Sequence, residues 1–184
     1  MKHLAVEIRD ALHLAAAAHD RAGDRYGPDP YTIHLLAVLS VLFEFGVTDG
    51  HVLVAAPMHD AIEDTDVTKE QVEERFGRRV ADLVDAVSDP PGFPNRKTRK
   101  AAAYPRMLEV TGAVTLKLAD RIANVRSCWS EAKADKQNKS LLGMYKKEYG
   151  GFRKALLDGR LPVTPTPTEK AMWDELDRLL AWSP

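Results

Sequence analysis

A run of apolar residues that ends in a dense cluster of charge constrains this chain more than any other feature. Residues 52–56 are entirely apolar, and residues 59–65 read His-Asp-Ala-Ile-Glu-Asp-Thr. In a helix, side chains four residues apart share a face, so one imidazole and three carboxylates would converge where the apolar run ends. Buried charges need partners of opposite sign. The stretch therefore predicts a cation site, and a divalent metal ion is our hypothesis.

Apolar residues recur at helical spacing along most of the chain, which predicts an all-α fold. Pro57 is expected to kink helix 49–64, with a break as the alternative, because proline removes a backbone hydrogen bond. We see no strand–helix alternation, glycine-rich phosphate loop or internal repeat, so we expect a single-domain orthogonal helical bundle. The predicted helices cover residues 3–22, 31–45, 49–64, 69–77, 78–87, 97–109, 111–128, 136–158 and 169–182.

Two helix starts carry capping signals. Asp49 is a residue type that accepts hydrogen bonds from the first free amides of a helix, so it is expected to begin helix 49–64. Thr68 followed three residues later by Gln71 matches a capping box, which predicts the start of the next helix.

Net charge and cysteine content limit which partners the protein can bind and which cellular compartment it suits. A formal net charge of −1 argues against a general nucleic-acid-binding protein, which is usually basic. The single cysteine, Cys128, excludes an internal disulfide and favours a reducing compartment. No apolar run reaches the roughly 18 residues that span a bilayer. We therefore expect a cytoplasmic protein that binds a small molecule and neither nucleic acid nor membrane.

Polar residues also interrupt two other apolar segments. His34 lies within the apolar stretch 31–36, and Asp120, Asn124 and Ser127 share one face of predicted helix 111–128. Together with the His-Asp pair of the opening stretch, these segments would supply two imidazoles and two carboxylates from three helices. Such a nitrogen and oxygen set suits Mn, Mg or Fe better than a cysteine-rich zinc site. A metal of this kind can acidify a bound water.

The order of these residues resembles that of the HD-domain metal-dependent phosphohydrolases. Longer strings are similar to the hydrolase domain of RelA/SpoT-type alarmone enzymes: residues 59–65, residues 76–80 (Phe-Gly-Arg-Arg-Val) and residues 117–126 (Lys-Leu-Ala-Asp-Arg-Ile-Ala-Asn-Val-Arg). The resemblance covers roughly residues 10–160. Because no synthetase domain is attached, the chain looks most like a stand-alone small alarmone hydrolase.

The resemblance implies a mostly helical HD fold that holds one Mn²⁺ ion and removes the 3′-pyrophosphate of guanosine tetra- or pentaphosphate. It implies that the metal ligands are His34, His59, Asp60 and Asp120. It further implies that Glu63 and Asp64 position or activate the attacking water, and that the substrate contacts include Arg25, Asn124 and Ser127. We expect residues 1–160 to form the hydrolase domain. Residues 161–184 would form a proline-rich linker and a terminal helix that packs on the domain or on a partner subunit, the oligomeric state being open.

The chain also departs from the family pattern. Leu35 stands where the family usually has proline, and Tyr26 stands where a lysine usually follows the arginine. Two alternatives therefore stay open: hydrolysis of another 3′-phosphorylated nucleotide, such as an adenine alarmone or NADPH, or a non-catalytic nucleotide-sensing module. The basic run 96–100 either clamps the polyphosphate or forms the solvated face of a helix.

Overall fold

Helices joined mostly by short turns make up the chain. The computed structural model describes residues 3–131, 136–160 and 164–181. The only strands in these ranges form a small antiparallel hairpin, β1 (Arg25–Tyr26) and β2 (Asp29–Pro30), in which Arg25 is paired with Pro30. The prediction of an all-α orthogonal bundle is confirmed. The helices are α1 (Leu4–Ala22), α2 (Thr32–Glu44), α3 (Gly50–Ala55), α4 (Ala61–Asp64), α5 (Lys69–Phe76), α6 (Arg78–Val87), α7 (Arg96–Glu109), α8 (Ala113–Glu131), α9 (Lys136–Leu156) and α10 (Pro167–Ala181).

Helix α8 lies at the centre of the bundle. It packs against α2, α3, α6, α7, α9 and α10. Leu116, Leu118, Ile122 and Val125 on this helix are fully buried. A helix that is apolar on most of its sides is a core helix. A carboxylate on α8 is therefore carried into the interior, where it requires a partner.

At Pro57 the predicted helix 49–64 is broken, which is the alternative to a kink. Helix α3 ends at Ala55, a single 3-10 turn covers Ala56–Met58, and α4 begins only at Ala61. Pro57, inside the 3-10 turn, has no amide hydrogen to continue the α-helical hydrogen bonding. The break leaves the His-Asp pair in the connection between the two helices.

The two capping predictions are confirmed. Asp49 precedes α3, and its side chain accepts a hydrogen bond from the His51 amide at 2.9 Å. Thr68 and Gln71 form the reciprocal capping box at the start of α5, with both side chains accepting from the opposite backbone amide.

Helix α10 packs on the bundle through its contacts with α8. The Trp129 indole donates to the Leu179 carbonyl at 3.1 Å, and Arg126 pairs with Glu175 at 2.8 Å. The helix begins at Pro167, two residues before the predicted start. Residues 161–163 of the predicted linker and residue 182 of the predicted helix lie outside the described residues. The division into a hydrolase domain and a terminal extension stays a prediction.

Within the described ranges, no helix combines the length and the apolarity needed to cross a membrane. The cytoplasmic location stays a prediction.

Helix α8 begins at Ala113 and not at residue 111, because Gly112 adopts a left-handed φ of 92°. A Cβ at this glycine would lie 2.6 Å from Val52 Cγ2. We expect Gly112→Ala to lower the free energy of unfolding by about 2–4 kcal/mol through backbone strain and overpacking. Urea unfolding of the metal-free protein measures this loss.

Gly46→Ala is the matched control, because Gly46 also has a positive φ, of 68°, but has open space around its Cα. We expect Gly46→Ala to lower the free energy of unfolding by the backbone strain alone, roughly 1 kcal/mol. Equal losses in the two variants would contradict the role of the Val52 contact.

A buried candidate metal centre

Three separate parts of the chain meet at one buried point. His34 lies in the first turn of α2, His59 and Asp60 lie in the connection before α4, and Asp120 lies in the middle of α8. His34 and His59 are each 1% exposed and Asp120 is 7% exposed. The structure therefore brings together all four residues that the sequence predicted as metal ligands.

The facing atoms of His34, His59 and Asp120 are close enough to share one ion, and Asp60 Oδ2 lies beside the two imidazoles. His34 Nε2 lies 3.1 Å from His59 Nε2, and Asp60 Oδ2 lies 2.9 Å from His59 Nε2 and 3.6 Å from His34 Nε2. Asp120 Oδ1 lies 3.5 Å from His34 Nε2 and 3.8 Å from His59 Nε2. Ligand atoms at about 2.1 Å from a shared ion lie about 3–3.5 Å from one another. The donor set and its spacing therefore fit a divalent metal ion.

Hydrogen bonds outside this cluster orient its members. His59 Nδ1 donates to the Ala56 carbonyl at 2.9 Å, which leaves the Nε2 lone pair directed at the centre. The Asn124 amide donates to Asp120 Oδ1 at 2.5 Å, and Lys117 Nζ lies 2.8 Å from Asp120 Oδ2. The Ala56 contact depends on the 3-10 turn at Pro57, so the helix break helps to set the imidazole orientation.

The charges at the centre stabilise one another in the absence of an ion. Burial would lower the pKa of His34, but hydrogen bonding and charge from Asp120 and Asp60 outweigh it and raise the pKa to about 9. Burial would raise the pKa of Asp60, but His59 and His34 hold it well below its ordinary value. For Asp120, the effect of burial on the pKa is outweighed mainly by the charge of Lys117. Both carboxylates are therefore ionised at neutral pH and available to a cation.

The acidic pair lies beside the predicted ligands, and its two members have different surroundings. Glu63 Oε2 accepts a hydrogen bond of 2.7 Å from the Asp89 amide, which holds this carboxylate in place. Asp64 is exposed to solvent, yet its pKa is raised to about 6, first by desolvation and then by the charges of Asp60 and Glu63. A carboxylate with a pKa close to neutral can accept a proton and release it again.

The three predicted substrate contacts differ in position. Asn124 contacts the centre through Asp120 and accepts a 3.4 Å hydrogen bond from the Tyr26 hydroxyl. Ser127 lies half-buried on α8, three residues beyond Asn124. The Arg25 guanidinium donates to the Pro28 carbonyl at 2.7 Å within the exposed hairpin.

Most of the basic run 96–100 is paired with acidic side chains of the same chain. Arg96 Nε lies 2.6 Å from Glu148, and Arg99 Nε and Lys100 Nζ each lie 3.0 Å from the buried Asp89 carboxylate. The sequence predicted either a polyphosphate clamp or a solvated face. Neither interpretation included these ion pairs. Lys100 is 8% exposed and so is not part of a solvated face.

Sequence reasoning missed three residues that contact the centre or its acidic pair. Lys117 could have been found, because it precedes Asp120 by three residues in one predicted helix and so shares its helical face. The Tyr31 hydroxyl donates to Asp60 Oδ2 at 2.5 Å. Asp89 gave no local signal, since its contact with Glu63 joins two loops that only the fold brings together.

A buried cluster of histidine and aspartate inside an all-α bundle is typical of metal-binding helical proteins, and this is the class of protein that the fold and the site indicate. The model of the HD domain family matches residues 11–146 of the chain. The chain belongs to the HD domain family. An HD domain implies a divalent metal ion, and His34, His59 and Asp120 are within reach of one.

Relatives with assigned names support the same grouping. The human guanosine-3′,5′-bis(diphosphate) 3′-pyrophosphohydrolase MESH1 is 36% identical over 137 residues, which cover 69% of this chain and 76% of that protein. An Aquifex aeolicus (strain VF5) guanosine-3′,5′-bis(diphosphate) 3′-pyrophosphohydrolase is 37% identical over 147 residues, covering 77% of this chain but 21% of its own length. The chain thus spans about a fifth of the bacterial protein and about three quarters of the human one.

A solved structure has the same architecture. It belongs to a metazoan ortholog of SpoT that is described as hydrolysing ppGpp and acting in starvation responses. The two structures superpose with a TM-score of 0.69 and 27% sequence identity over 94% of each chain. The prediction of an HD-type helical bundle is confirmed.

Proposed function

We propose that this protein is a Mn²⁺-dependent hydrolase that removes the 3′-pyrophosphate of guanosine tetra- or pentaphosphate, giving GDP or GTP and pyrophosphate. The observation that carries the proposal is the convergence of His34, His59, Asp60 and Asp120 beside an acidic pair. The names of the relatives, several of which are guanosine-3′,5′-bis(diphosphate) 3′-pyrophosphohydrolases, supply the substrate. A net charge of −1 fits a small nucleotide better than a nucleic acid.

The four ligands would hold one ion. When bound, the ion supplies positive charge that polarises a phosphoryl oxygen and lowers the pKa of water. An N₂O₂ donor set without thiolate is compatible with Mn²⁺. The protein groups around the ligands, Lys117 on Asp120 and the Ala56 carbonyl on His59, keep the carboxylate ionised and the imidazole in the binding tautomer.

The acidic pair would manage the proton. Hydrolysis forms a bond between the water oxygen and phosphorus and breaks the bond from phosphorus to the ribose 3′ oxygen. One proton must therefore pass from water to the departing oxygen. Asp64, with a pKa of about 6, is suited to accept this proton and return it. Glu63, fixed by the Asp89 amide, would orient the water.

Direct assay tests the proposal. Protein stripped with a chelator and reloaded with Mn²⁺ should convert guanosine tetraphosphate to GDP and pyrophosphate, measured by ion-exchange chromatography of the nucleotides. The matched control is the same protein kept in chelator. Intact substrate at high enzyme concentration would contradict the assigned activity.

A nucleotide panel tests the second candidate. Tyr26 lies over His34, with ring centroids 4.9 Å apart and planes 25° from parallel, so an aromatic ring borders the centre where the family usually has a lysine. NADPH and adenine alarmones are therefore included beside the guanosine substrate. Faster turnover of an adenine nucleotide would keep the metal chemistry and replace the substrate.

Asp64→Asn should separate catalysis from folding. We expect turnover to fall at least about 100-fold, because a general acid–base group typically contributes 10²–10⁴-fold. A nucleotide sensor without catalysis would keep its nucleotide affinity in this variant and would show no turnover in the wild type either.

The same substitution has an opposite effect on stability. Folding raises the pKa of Asp64 from 3.8 to about 6, so the unfolded chain loses this proton first as the pH rises. The contribution of Asp64 to the free energy of unfolding therefore falls between about pH 4 and pH 6. Above that range its full destabilising effect is present. In chelator, Asp64→Asn should be slightly more stable than wild type at neutral pH, by less than about 1 kcal/mol because solvent screens this exposed group. Urea unfolding near pH 4 should show no difference, and a less stable variant at neutral pH would contradict the prediction.

A further inference from the structure

Tyr31 contacts the candidate centre but has no role in the proposed reaction. It directly precedes α2, and its hydroxyl donates to Asp60 Oδ2 at 2.5 Å. The same oxygen lies 2.9 Å from His59 Nε2. The phenol therefore contacts the carboxylate oxygen that faces the other ligand atoms, and not the outer oxygen.

The ring of Tyr31 is held from its other side by a buried histidine. Its ring stacks on His19 with centroids 4.3 Å apart and planes 30° from parallel. His19 is 1% exposed, and its Nδ1 lies 2.8 Å from Asp24 Oδ2. The imidazole cannot rotate without losing this contact, so its face offers a fixed support to the phenol ring.

His19 itself is not placed as a ligand. Its Nδ1 faces Asp24 Oδ2 at 2.8 Å and none of His34, His59, Asp60 or Asp120. The contacts of His19 described above are with Asp24 and with the Tyr31 ring. Its effect on the centre therefore passes through Tyr31.

We propose that Tyr31 is a positioning residue that holds Asp60 Oδ2 in the orientation that binds the divalent ion, and that His19, oriented by Asp24, holds Tyr31. The inference rests on the proposed metal centre. A carboxylate on a connecting segment can rotate, and that freedom would be lost on metal binding. A hydrogen bond that fixes the rotamer beforehand reduces this loss, which is why groups that support ligands affect metal affinity.

Tyr31→Phe tests the proposal because it removes only the hydroxyl and keeps the stacked ring. Chelator-stripped protein is titrated with Mn²⁺ alone by calorimetry, which needs no substrate. We expect the dissociation constant to rise about 10–100-fold. Tyr149→Phe is the matched control, because the Tyr149 hydroxyl donates to Asp177 at 2.6 Å in the contact of α9 with α10. Its dissociation constant should equal that of wild type.

His19→Asn tests the second part, since it keeps a polar group near Nδ1 but removes the ring face. Its loss of Mn²⁺ affinity should be smaller than that of Tyr31→Phe, and it should add no further loss in the Tyr31→Phe background. If His19→Asn lowered Mn²⁺ affinity equally in wild type and in Tyr31→Phe, the role of His19 would be overturned.

Equal Mn²⁺ affinity in wild type and Tyr31→Phe would overturn the positioning role. Wild-type protein that binds no Mn²⁺ would overturn the metal centre itself, which is a different result. Thermal unfolding of each variant in chelator identifies any loss that comes from misfolding. Tyr31→Phe and Tyr149→Phe each remove one hydroxyl that is hydrogen-bonded to a carboxylate. A difference in Mn²⁺ affinity between them therefore reports a role of Tyr31 at the centre.

Discussion

Asp60→Asn should abolish hydrolysis at ordinary metal concentrations, with turnover falling at least about 1,000-fold. The substitution keeps the shape of the side chain but removes one of the two carboxylates proposed as ligands, and metal affinity should fall by about 100-fold or more. Calorimetric titration with Mn²⁺ and measurement of pyrophosphate release check the two parts separately. The fold should survive, because the amide oxygen can still accept the Tyr31 hydrogen bond and Asp120 stays beside His34.

Asp66→Asn is the matched control for this loss. Asp66 lies six residues further along the chain, is 71% exposed at its side chain and pairs with Arg21 on the surface at 2.9 Å. Its removal should leave metal affinity and turnover within about twofold of wild type, because exposed ion pairs contribute little. Full activity in Asp60→Asn would contradict the assignment of the ligand set.

Lys117→Met should cause the largest loss of stability, about 3–5 kcal/mol in the metal-free protein. Lys117 is 5% exposed and lies 2.8 Å from Asp120 Oδ2. Burial would lower the pKa of Lys117, but Asp120 and Asp60 raise it, so the side chain is charged inside the core. Removal of this charge leaves the buried Asp120 without its nearest cation, so that only the imidazoles offset the two carboxylates.

A saturating divalent ion should reverse much of that loss, because it supplies the missing positive charge. The rise in melting temperature on addition of Mn²⁺ should therefore be larger for Lys117→Met than for wild type. Lys170→Met is the control, since Lys170 also pairs with an aspartate, Asp174, at 2.7 Å but is 69% exposed. It should lose less than about 1 kcal/mol. Equal stabilisation of Lys117→Met and wild type by the ion would contradict this account.

The candidate centre was accessible to sequence reasoning where its signals are local. Helical periodicity predicted the bundle, and Thr68 with Gln71 predicted the start of α5, because both depend on residues within one turn. The ligand types were evident from polar residues in apolar segments. The predicted roles of Glu63 and Asp64 stay predictions, although the structure brings both beside the ligands.

Expectations based on single segments failed where neighbouring segments decide the conformation. The choice between a kink and a break at Pro57 was decided by the fold: Pro57 takes part in a 3-10 turn, which lets the His59 ring bond to the Ala56 carbonyl. The start of α8 was placed too early because Gly112 lies against Val52 in a left-handed conformation. For the basic run 96–100 the sequence left two interpretations open, and the structure adds the ion pairs with Asp89 and Glu148 that neither included.

The sequence by itself determined the helical class and the chemical types of the predicted ligands, since both follow from residue identity and short spacings. Only the tertiary structure decided which groups surround those ligands. The contacts of Tyr31 with Asp60 and of Asp89 with Glu63 join residues 29 and 26 positions apart. Such contacts depend on how whole helices pack, and no short-range pattern in the sequence records that packing. The stretch 59–65 thus predicts what can bind an ion, while the fold around α8 determines how firmly those groups are held.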